Sequence, residues 1–254
     1  MLIRGLMILE HERFDLIQQN GYGIIQNKKW FSYGIDAVLI SHFASIKRNA
    51  VVMDLGCGTG IIPLLIHLNH KTSVIHGIEK QIEVADMAKR SITLNDLNSN
   101  IKIHNLDIQD LFEKFGKGNV DVVISNPPYF KKGNAIVSTG DVKASSRHET
   151  TGSLEDFIRV AAGLLKEKGS FYMVHRPMRL VDIMYYCRKY NLEPKEIQFV
   201  YPHKDNPPNI MLIKCVKNGN HELKYLDNLY VYDEKRNYTD QIKDIYRTLN
   251  IDVF

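Results

Sequence analysis

A short apolar run that breaks on alternate glycines constrains this chain most. Val51-Val52-Met53-Asp54-Leu55 leads directly into Gly56-Cys57-Gly58-Thr59-Gly60, and Ile61 to Leu68 follows in a pattern that supports a helix. A buried strand that turns through glycines into a helix lets main-chain amides approach a ligand closely, beside an electropositive helix start. Such units build open α/β sheets, whose ligands lie across the carboxyl ends of parallel strands. The spacing discriminates between ligands. A dinucleotide fingerprint would need a third glycine at position 61, where Ile61 stands. Asp54, two residues ahead of Gly56, adds an acid beside the amides of the loop.

Two further strands are expected to end on polar residues at the same edge. Thr72 to Ile78 stops at Glu79, where an acid can bind a pair of ribose hydroxyls. A helix over Gln81 to Thr93 follows, with Ile82, Ala85, Met87, Ala88 and Ile92 facing inward. Ile101 to Leu106 alternates like a strand and stops at Asp107, which can accept from an adenine amino group while Ile108 covers the ring. Taken singly, Glu79 reads equally as an exposed acid at a helix start and Asp107 as a solvated carboxylate. After a Gly116-Lys117-Gly118 turn, the apolar run Asp121-Val122-Val123-Ile124 ends on Ser125-Asn126-Pro127-Pro128-Tyr129-Phe130. The prolines stop that strand and stiffen the corner. The Asn126 and Pro127 carbonyls can accept from a planar amino group, and Tyr129 offers a face for stacking.

Around this core the pattern predicts a hairpin, Tyr22 to Gln26 against Trp30 to Tyr33, then a helix with Asp36 as its cap and Val38, Leu39, Phe43 and Ile46 as its stripe. Lys131 to Gly152 is polar and long for a connection; Lys131, Lys132, Lys143, Arg147 and His148 in it can meet phosphates or simply be solvated. Downstream, a helix over Leu154 to Lys166 closing at Gly169 precedes a strand over Ser170 to Val174 and a helix over Met178 to Tyr190. Strands over Ile197 to Tyr201 and Ile210 to Val216 have no helix between them, which predicts an antiparallel pair. One more strand over Leu223 to Tyr232 and a helix over Asp240 to Leu249, capped by Thr239, finish the chain. Arg176 and Arg179 read as surface charge. The organisation expected is one domain over 1–254, with a hairpin and helix in 1–49, the core in 50–217 and a strand and helix extension in 218–254.

Composition narrows the class. With 254 residues, 44% of them apolar, the chain can bury a substantial core. The +4 net charge is compatible with a nucleic-acid partner without requiring one. No run approaches the length of a membrane span, and the first nine residues are too short an apolar run for a secretory signal. Cys57, Cys187 and Cys215 show neither metal-ligand nor disulfide spacing, so no metal and a cytoplasmic location are expected.

The tight glycine loop resembles the cofactor loop of S-adenosylmethionine-dependent methyltransferases, and Asn126-Pro127-Pro128-Tyr129 resembles the motif of those that methylate a planar nitrogen. With Phe31-Ser32-Tyr33-Gly34-Ile35-Asp36-Ala37-Val38-Leu39-Ile40, Arg147-His148-Glu149, Tyr232-Asp233-Glu234 and Tyr238-Thr239-Asp240, the chain is similar over almost its whole length to the bacterial tRNA adenine-N6 methyltransferases that modify an adenine beside the anticodon of valine tRNA. Ile35 replaces the threonine usual in that family.

The resemblance implies a Rossmann-like class I methyltransferase fold: a doubly wound, mostly parallel seven-stranded sheet with an antiparallel strand near one edge, an N-terminal hairpin and a C-terminal extension. It implies S-adenosyl-L-methionine as cofactor, held by Tyr33, Gly34, Asp36, Asp54, Gly56, Cys57, Gly58, Gly60, Glu79, Lys80, Asp107, Ile108 and Asn126. Asn126, Pro127, Pro128 and Tyr129 would be catalytic, and Phe130, Lys131, Lys132, Arg147 and His148 would contact a tRNA substrate. Protein glutamine, DNA adenine or rRNA guanine as acceptor, and a cofactor-binding adaptor without chemistry, are the competing readings. A protein-glutamine enzyme would be expected to carry a helical module ahead of the loop, and a DNA enzyme a separate target-recognition domain.

Overall fold

The computed structural model describes residues 2–3, 6–18, 21–29, 33–70, 74–129 and 152–251. The chain opens with β1 (Leu2–Ile3) antiparallel to β2 (Leu6–Met7), then β3 (Glu12–Leu16) antiparallel to β4 (Gly23–Asn27). The strand expected over Tyr22 to Gln26 is found as β4, whose partner among the described residues is β3, upstream; Trp30, Phe31 and Ser32 of the expected partner lie outside the described residues. Tertiary groups hold β4 in place. Ile25 N donates to Ser91 Oγ at 2.9 Å, Gly23 N donates to Asn95 Oδ1 at 2.9 Å, and Asn95 Nδ2 donates back to the Gly23 carbonyl at 2.7 Å. Glu12, only 3% exposed, pairs with Arg90 at 2.5 Å. The hairpin is thereby fastened to the helix that follows the second core strand.

Helix α1 (Ile35–Phe43) begins at Gly34, and Asp36 lies inside its first turn rather than capping it. Next come β5 (Val51–Leu55), α2 (Ile61–Asn69), β6 (Val74–Glu79), α3 (Ile82–Leu94), β7 (Ile101–Asn105), a short α4 (Leu111–Phe115) and β8 (Val120–Ser125). Ile82, expected inward, is 72% exposed because it starts α3 beyond the reach of the sheet.

Helix α5 (Leu154–Leu164) carries a Ser153/Asp156 capping box and passes directly into β9 (Leu165–His175), so it ends before Lys166 and Gly169 lies within the strand. The pairing of β9 with β8 shifts register between Val120 and Val122, and a Cβ on Gly169 would lie 3.1 Å from the Asp121 carbonyl oxygen. Helix α6 (Leu180–Lys189), β10 (Leu192–Tyr201) and β11 (Ile210–Lys217) follow. The expected single strand over Leu223 to Tyr232 is two short ones, β12 (Lys224–Tyr225) and β13 (Leu229–Tyr230), both parallel to β10 and separated by polar Asp227 and Asn228. Helix α7 (Asp240–Thr248) ends the described chain, with the Thr239 hydroxyl accepting from Ile242 N as expected.

Among the described residues the sheet runs β12-β10-β11-β9-β8-β5-β6-β7, with β13 also on β10, so nine strands stand where seven are expected; the additions are the two-residue strands β12 and β13. Strands β5 to β9 are parallel to one another, and β11 is antiparallel to both neighbours, as predicted. Alternation along each strand feeds two cores. Val52, Val122, Tyr172 and Val174 face α1, α2 and α7, while Met53, Val123, Phe171 and Met173 face α5 and α6. Among the described residues no helix is long and apolar enough to cross a membrane.

Candidate active site

Register brings the polar strand ends together. Leu55 lies opposite Ser125 on one side and Ile78 on the other, and Glu79 lies opposite Asn105. The glycine loop, Glu79, Asp107 and Asn126 therefore emerge along one rim. Ser125 Oγ donates to the Leu55 carbonyl at 2.9 Å, bracing the two central strands where they end.

The loop takes its form from Gly56, Gly58 and Gly60, whose φ angles are 75°, 54° and 89°. Gly56 N and Cys57 N donate to the Ile78 carbonyl at 2.9 and 2.8 Å, and Gly60 N donates to the Cys57 carbonyl at 2.9 Å. These amides hold the loop itself. Gly58 N instead donates to Glu79 Oε2 at 3.1 Å, and a Cβ at Gly58 would meet nothing within 4 Å, so the loop is open to a ligand there. The Cys57 thiol is buried, pushed up in pKa by burial, and packs where a Cβ on Gly77 would lie 2.9 Å from Sγ; its contribution is to seat the loop.

Asp54 is 1% exposed, and neither carboxylate oxygen has a hydrogen-bond partner among the described residues. Burial, reinforced by the charge of Glu79, raises its pKa well above the usual range. Glu79 is also buried and raised by desolvation, although amides of Gln81 and Gly58 oppose the shift; Gln81 N donates to Oε1 at 2.8 Å. Two adjacent acids, one of them without a donor, form a site short of positive charge, which the ammonium of an amino-acid ligand fits. Lys80 lies 2.7 Å from Asp107, whose other oxygen accepts from Gln109 N at 3.1 Å. Burial opposes ionisation of Asp107, but these partners outweigh it and the pKa is lowered. Gly56, Glu79, Lys80, Asp107 and Ile108 line one cleft with Ile78, Leu106 and Phe157. Phe157 was not singled out in the sequence; its ring lies 3.4 Å from where a Gly56 Cβ would be, and its apolar position in the α5 stripe gave no hint of that.

At the acceptor corner the Tyr129 hydroxyl bonds to Asp36 Oδ2 and lies 2.9 Å from Asn126 Oδ1. Asp36 thus meets the corner rather than the glycine loop. Tyr33 and Gly34 lie at the start of the same helix, with Tyr33 N donating to Gln26 Oε1 at 2.9 Å. The Arg176 guanidinium sits 4.7 Å from the Tyr129 ring centroid, and the His175 ring packs edge-on at 5.1 Å. Arg176, read as surface charge, therefore covers a Tyr129 face, held by Nη1 donating to the Asn209 carbonyl at 2.8 Å. Buried His175 accepts from Arg176 N through Nδ1 at 2.8 Å; burial, with the charge of Arg179, lowers its pKa to about 4, so the ring is neutral. Pro127 is buried and Asn126 half-buried. Phe130, Lys131, Lys132, Lys143, Arg147 and His148 lie outside the described residues.

A mostly parallel, doubly wound sheet with flanking helices and a glycine loop at the end of its central strand defines the Rossmann-like class I methyltransferase fold. The family model for the methyltransferase small domain matches residues 31–184, and the chain belongs to that family. A curated relative, the tRNA1(Val) (adenine(37)-N6)-methyltransferase of Pedobacter heparinus, is 26% identical over 209 residues, 82% of this chain and 86% of that protein. A predicted O-methyltransferase from Agrobacterium tumefaciens superposes with a TM-score of 0.69 at 21% identity, covering 84% of this chain and 96% of that one. The geranyl diphosphate C-methyltransferase of Streptomyces coelicolor, solved with Mg2+, geranyl diphosphate and S-adenosyl-L-homocysteine, superposes with a TM-score of 0.54 at 13% identity over 72% of this chain and 78% of that one.

Proposed function

We propose that this protein is an S-adenosylmethionine-dependent methyltransferase acting on the N6 amino group of an adenine in tRNA, the one beside the anticodon of valine tRNA. The observation that carries the reading is the adjacency of the Gly56 loop and Asn126 at the ends of paired strands β5 and β8. The activity named for the Pedobacter heparinus relative supports the choice of acceptor. A basic excess of +4 is in keeping with an RNA partner, and a cytoplasmic single-domain enzyme over 1–254 is the organisation we adopt.

Asp54 would hold the ammonium of the cofactor, the open side of Gly58 would give its amino-acid end room, Glu79 would take the ribose hydroxyls, and Asp107 with Ile108 the adenine. Glu79 retains lone pairs beyond those its two amide partners use, so it can accept from hydroxyls without losing the bonds that place it. S-adenosylmethionine supplies an electrophilic methyl group. Asn126 and the Pro127 carbonyl accept the two amino hydrogens of a flipped-out adenine, which aims the nitrogen lone pair and makes it more available. Stacking on the Tyr129 face that Arg176 covers would require that side chain to move aside. The titratable group that touches Asn126 is Tyr129, whose pKa burial raises so that it keeps its proton, which accords with a reaction driven by orientation, the substrate proton passing later to water.

Incubation with methyl-labelled S-adenosylmethionine and, in parallel, total tRNA, total protein and DNA tests the reading. Label recovered as N6-methyladenosine in tRNA supports it. Label in protein glutamine, DNA or rRNA guanine reassigns the acceptor, and none in any pool favours an adaptor.

A further inference from the structure

The Tyr129 hydroxyl touches two acceptors, Asp36 Oδ2 and Asn126 Oδ1, yet carries a single proton. Burial, with the charge of Asp36, raises the Tyr129 pKa, so the proton stays on the phenol. A carboxylate is the stronger acceptor of the two and takes it. The phenol oxygen is then left with lone pairs facing the Asn126 amide at 2.9 Å, a contact between two oxygens with no hydrogen to share. Turning the Asn126 amide by half a rotation about its terminal bond interchanges its oxygen and nitrogen within the same outline, and the hydrogen-bond network decides between the two placements. With nitrogen toward Tyr129, the phenol oxygen accepts from the amide while its proton goes to Asp36, so each of the two contacts carries one hydrogen.

We infer that Asp36 is a positioning residue whose carboxylate, acting through the Tyr129 hydroxyl, fixes the Asn126 amide with its carbonyl oxygen turned toward the acceptor. The inference rests on the acceptor reading above and deepens it. An amino group needs acceptors around it, and an amide is useful there in only one of its two orientations. Asp36 is separated from Tyr129 by 93 positions in sequence, and α1 delivers it to the corner. The arrangement gives the first segment of the chain a role in the chemistry that neither the glycine loop nor the double proline can supply. It also favours acceptors that present an amino group over those that present a carbonyl.

Asp36→Asn breaks the device in a defined way. The new amide can donate to the phenol oxygen, the phenol proton passes to Asn126 Oδ1, and the Asn126 NH2 now faces the substrate NH2. Asp36→Ala deletes the acceptor and sends the proton to the same place. Tyr129→Phe removes the hydroxyl, so the Asn126 amide is free to turn and residue 36 no longer matters. Turnover with saturating cofactor is measured on the full chain with tRNA for each single variant and for Asp36→Asn combined with Tyr129→Phe, with cofactor affinity and thermal denaturation alongside.

The expected result is a loss on the order of a hundredfold in kcat for both Asp36 variants, the scale set by losing one directed hydrogen bond in a transition state. Cofactor affinity should stay within about twofold, since the network does not touch the donor loop. In the Tyr129→Phe background, Asp36→Asn should cost nothing further. The same factor lost in both backgrounds, or cofactor affinity lost with turnover, overturns the inference and makes Asp36 a structural or cofactor residue. Reduced thermal stability without recovery in the double variant does so too. A wild-type protein that methylates no amino group at all refutes the acceptor reading itself, which is a different and recognisable failure.

Discussion

Replacing Asp54 by asparagine should stabilise the cofactor-free protein and cripple cofactor binding, two effects of opposite sign from one buried charge. Asp54 is 1% exposed and its oxygens lack partners among the described residues. An unsatisfied buried polar group costs about 1–3 kcal/mol, and more when charged. Exchanging the carboxylate for a neutral amide of the same shape should therefore return about 1–2 kcal/mol, or roughly 2–8 °C in Tm for a chain of this length. The pH dependence follows from linkage. Burial, then the charge of Glu79, raises the folded pKa above the ordinary 3.8, so the folded protein binds more protons than the unfolded one in that window. Wild-type stability should fall as pH rises from 3.8 through the raised folded value, and the Asp54 share of that fall should vanish in the variant.

Binding should move the other way. Leaving the cofactor ammonium without its buried partner should cost about 3–5 kcal/mol, a loss of about a hundredfold to a few thousandfold in affinity. Calorimetric titration with S-adenosylhomocysteine tests this, with methylthioadenosine, which lacks the amino-acid end, as control. The control should bind wild type and variant alike. An equal loss for both ligands, or unchanged affinity for the first, would refute the assignment of Asp54.

Gly77→Ala should destabilise the fold by about 1–3 kcal/mol, since its Cβ would stand 2.7 Å from Ile103 Cδ1 and 2.9 Å from Cys57 Sγ. Cofactor affinity should fall with it, and Cys57→Ala in the same chain should recover part of both in denaturant and binding titrations. Arg90→Ala should cost about 3–5 kcal/mol at neutral pH by leaving Glu12 buried without its charge partner. Burial pushes the Glu12 pKa up, but the Arg90 hydrogen bonds and the Leu9 amide outweigh it and hold it below 4.5. The wild-type pairing thus stabilises above that value and is lost as pH falls through the folded pKa, so urea unfolding should show the gap between variant and wild type narrowing in acid.

The centre of the sheet was legible because its signals are local. β5 and β8 are apolar runs ended by glycine or proline, so both the strands and the points where they stop can be read from neighbouring residues. What escaped depended on distant partners. β4 pairs upstream with β3 and is fastened by Ser91 and Asn95, polar residues that lie 66 and 72 positions from the amides they bind. Gly169 looks like a helix stop but marks a register shift, which only the neighbouring strand reveals. At the strand ends, Glu79 and Asp107 stand out in the sequence because acids there are conspicuous, and the two line one cleft. The bond from Tyr129 to Asp36, and the cover of Arg176 over the same ring, join segments far apart in sequence with no pattern to announce them.

The central claim is that the donor cleft and the amino-group clamp share one rim yet are chemically separable. The most direct measurement compares wild type with Asn126→Ala for both cofactor affinity and methyl transfer to tRNA. The account predicts N6-methyladenosine from the wild type, a loss of transfer of more than about a thousandfold in the variant, and cofactor affinity within about twofold of wild type. Transfer that survives the substitution, or cofactor binding that disappears with it, would contradict that division of labour.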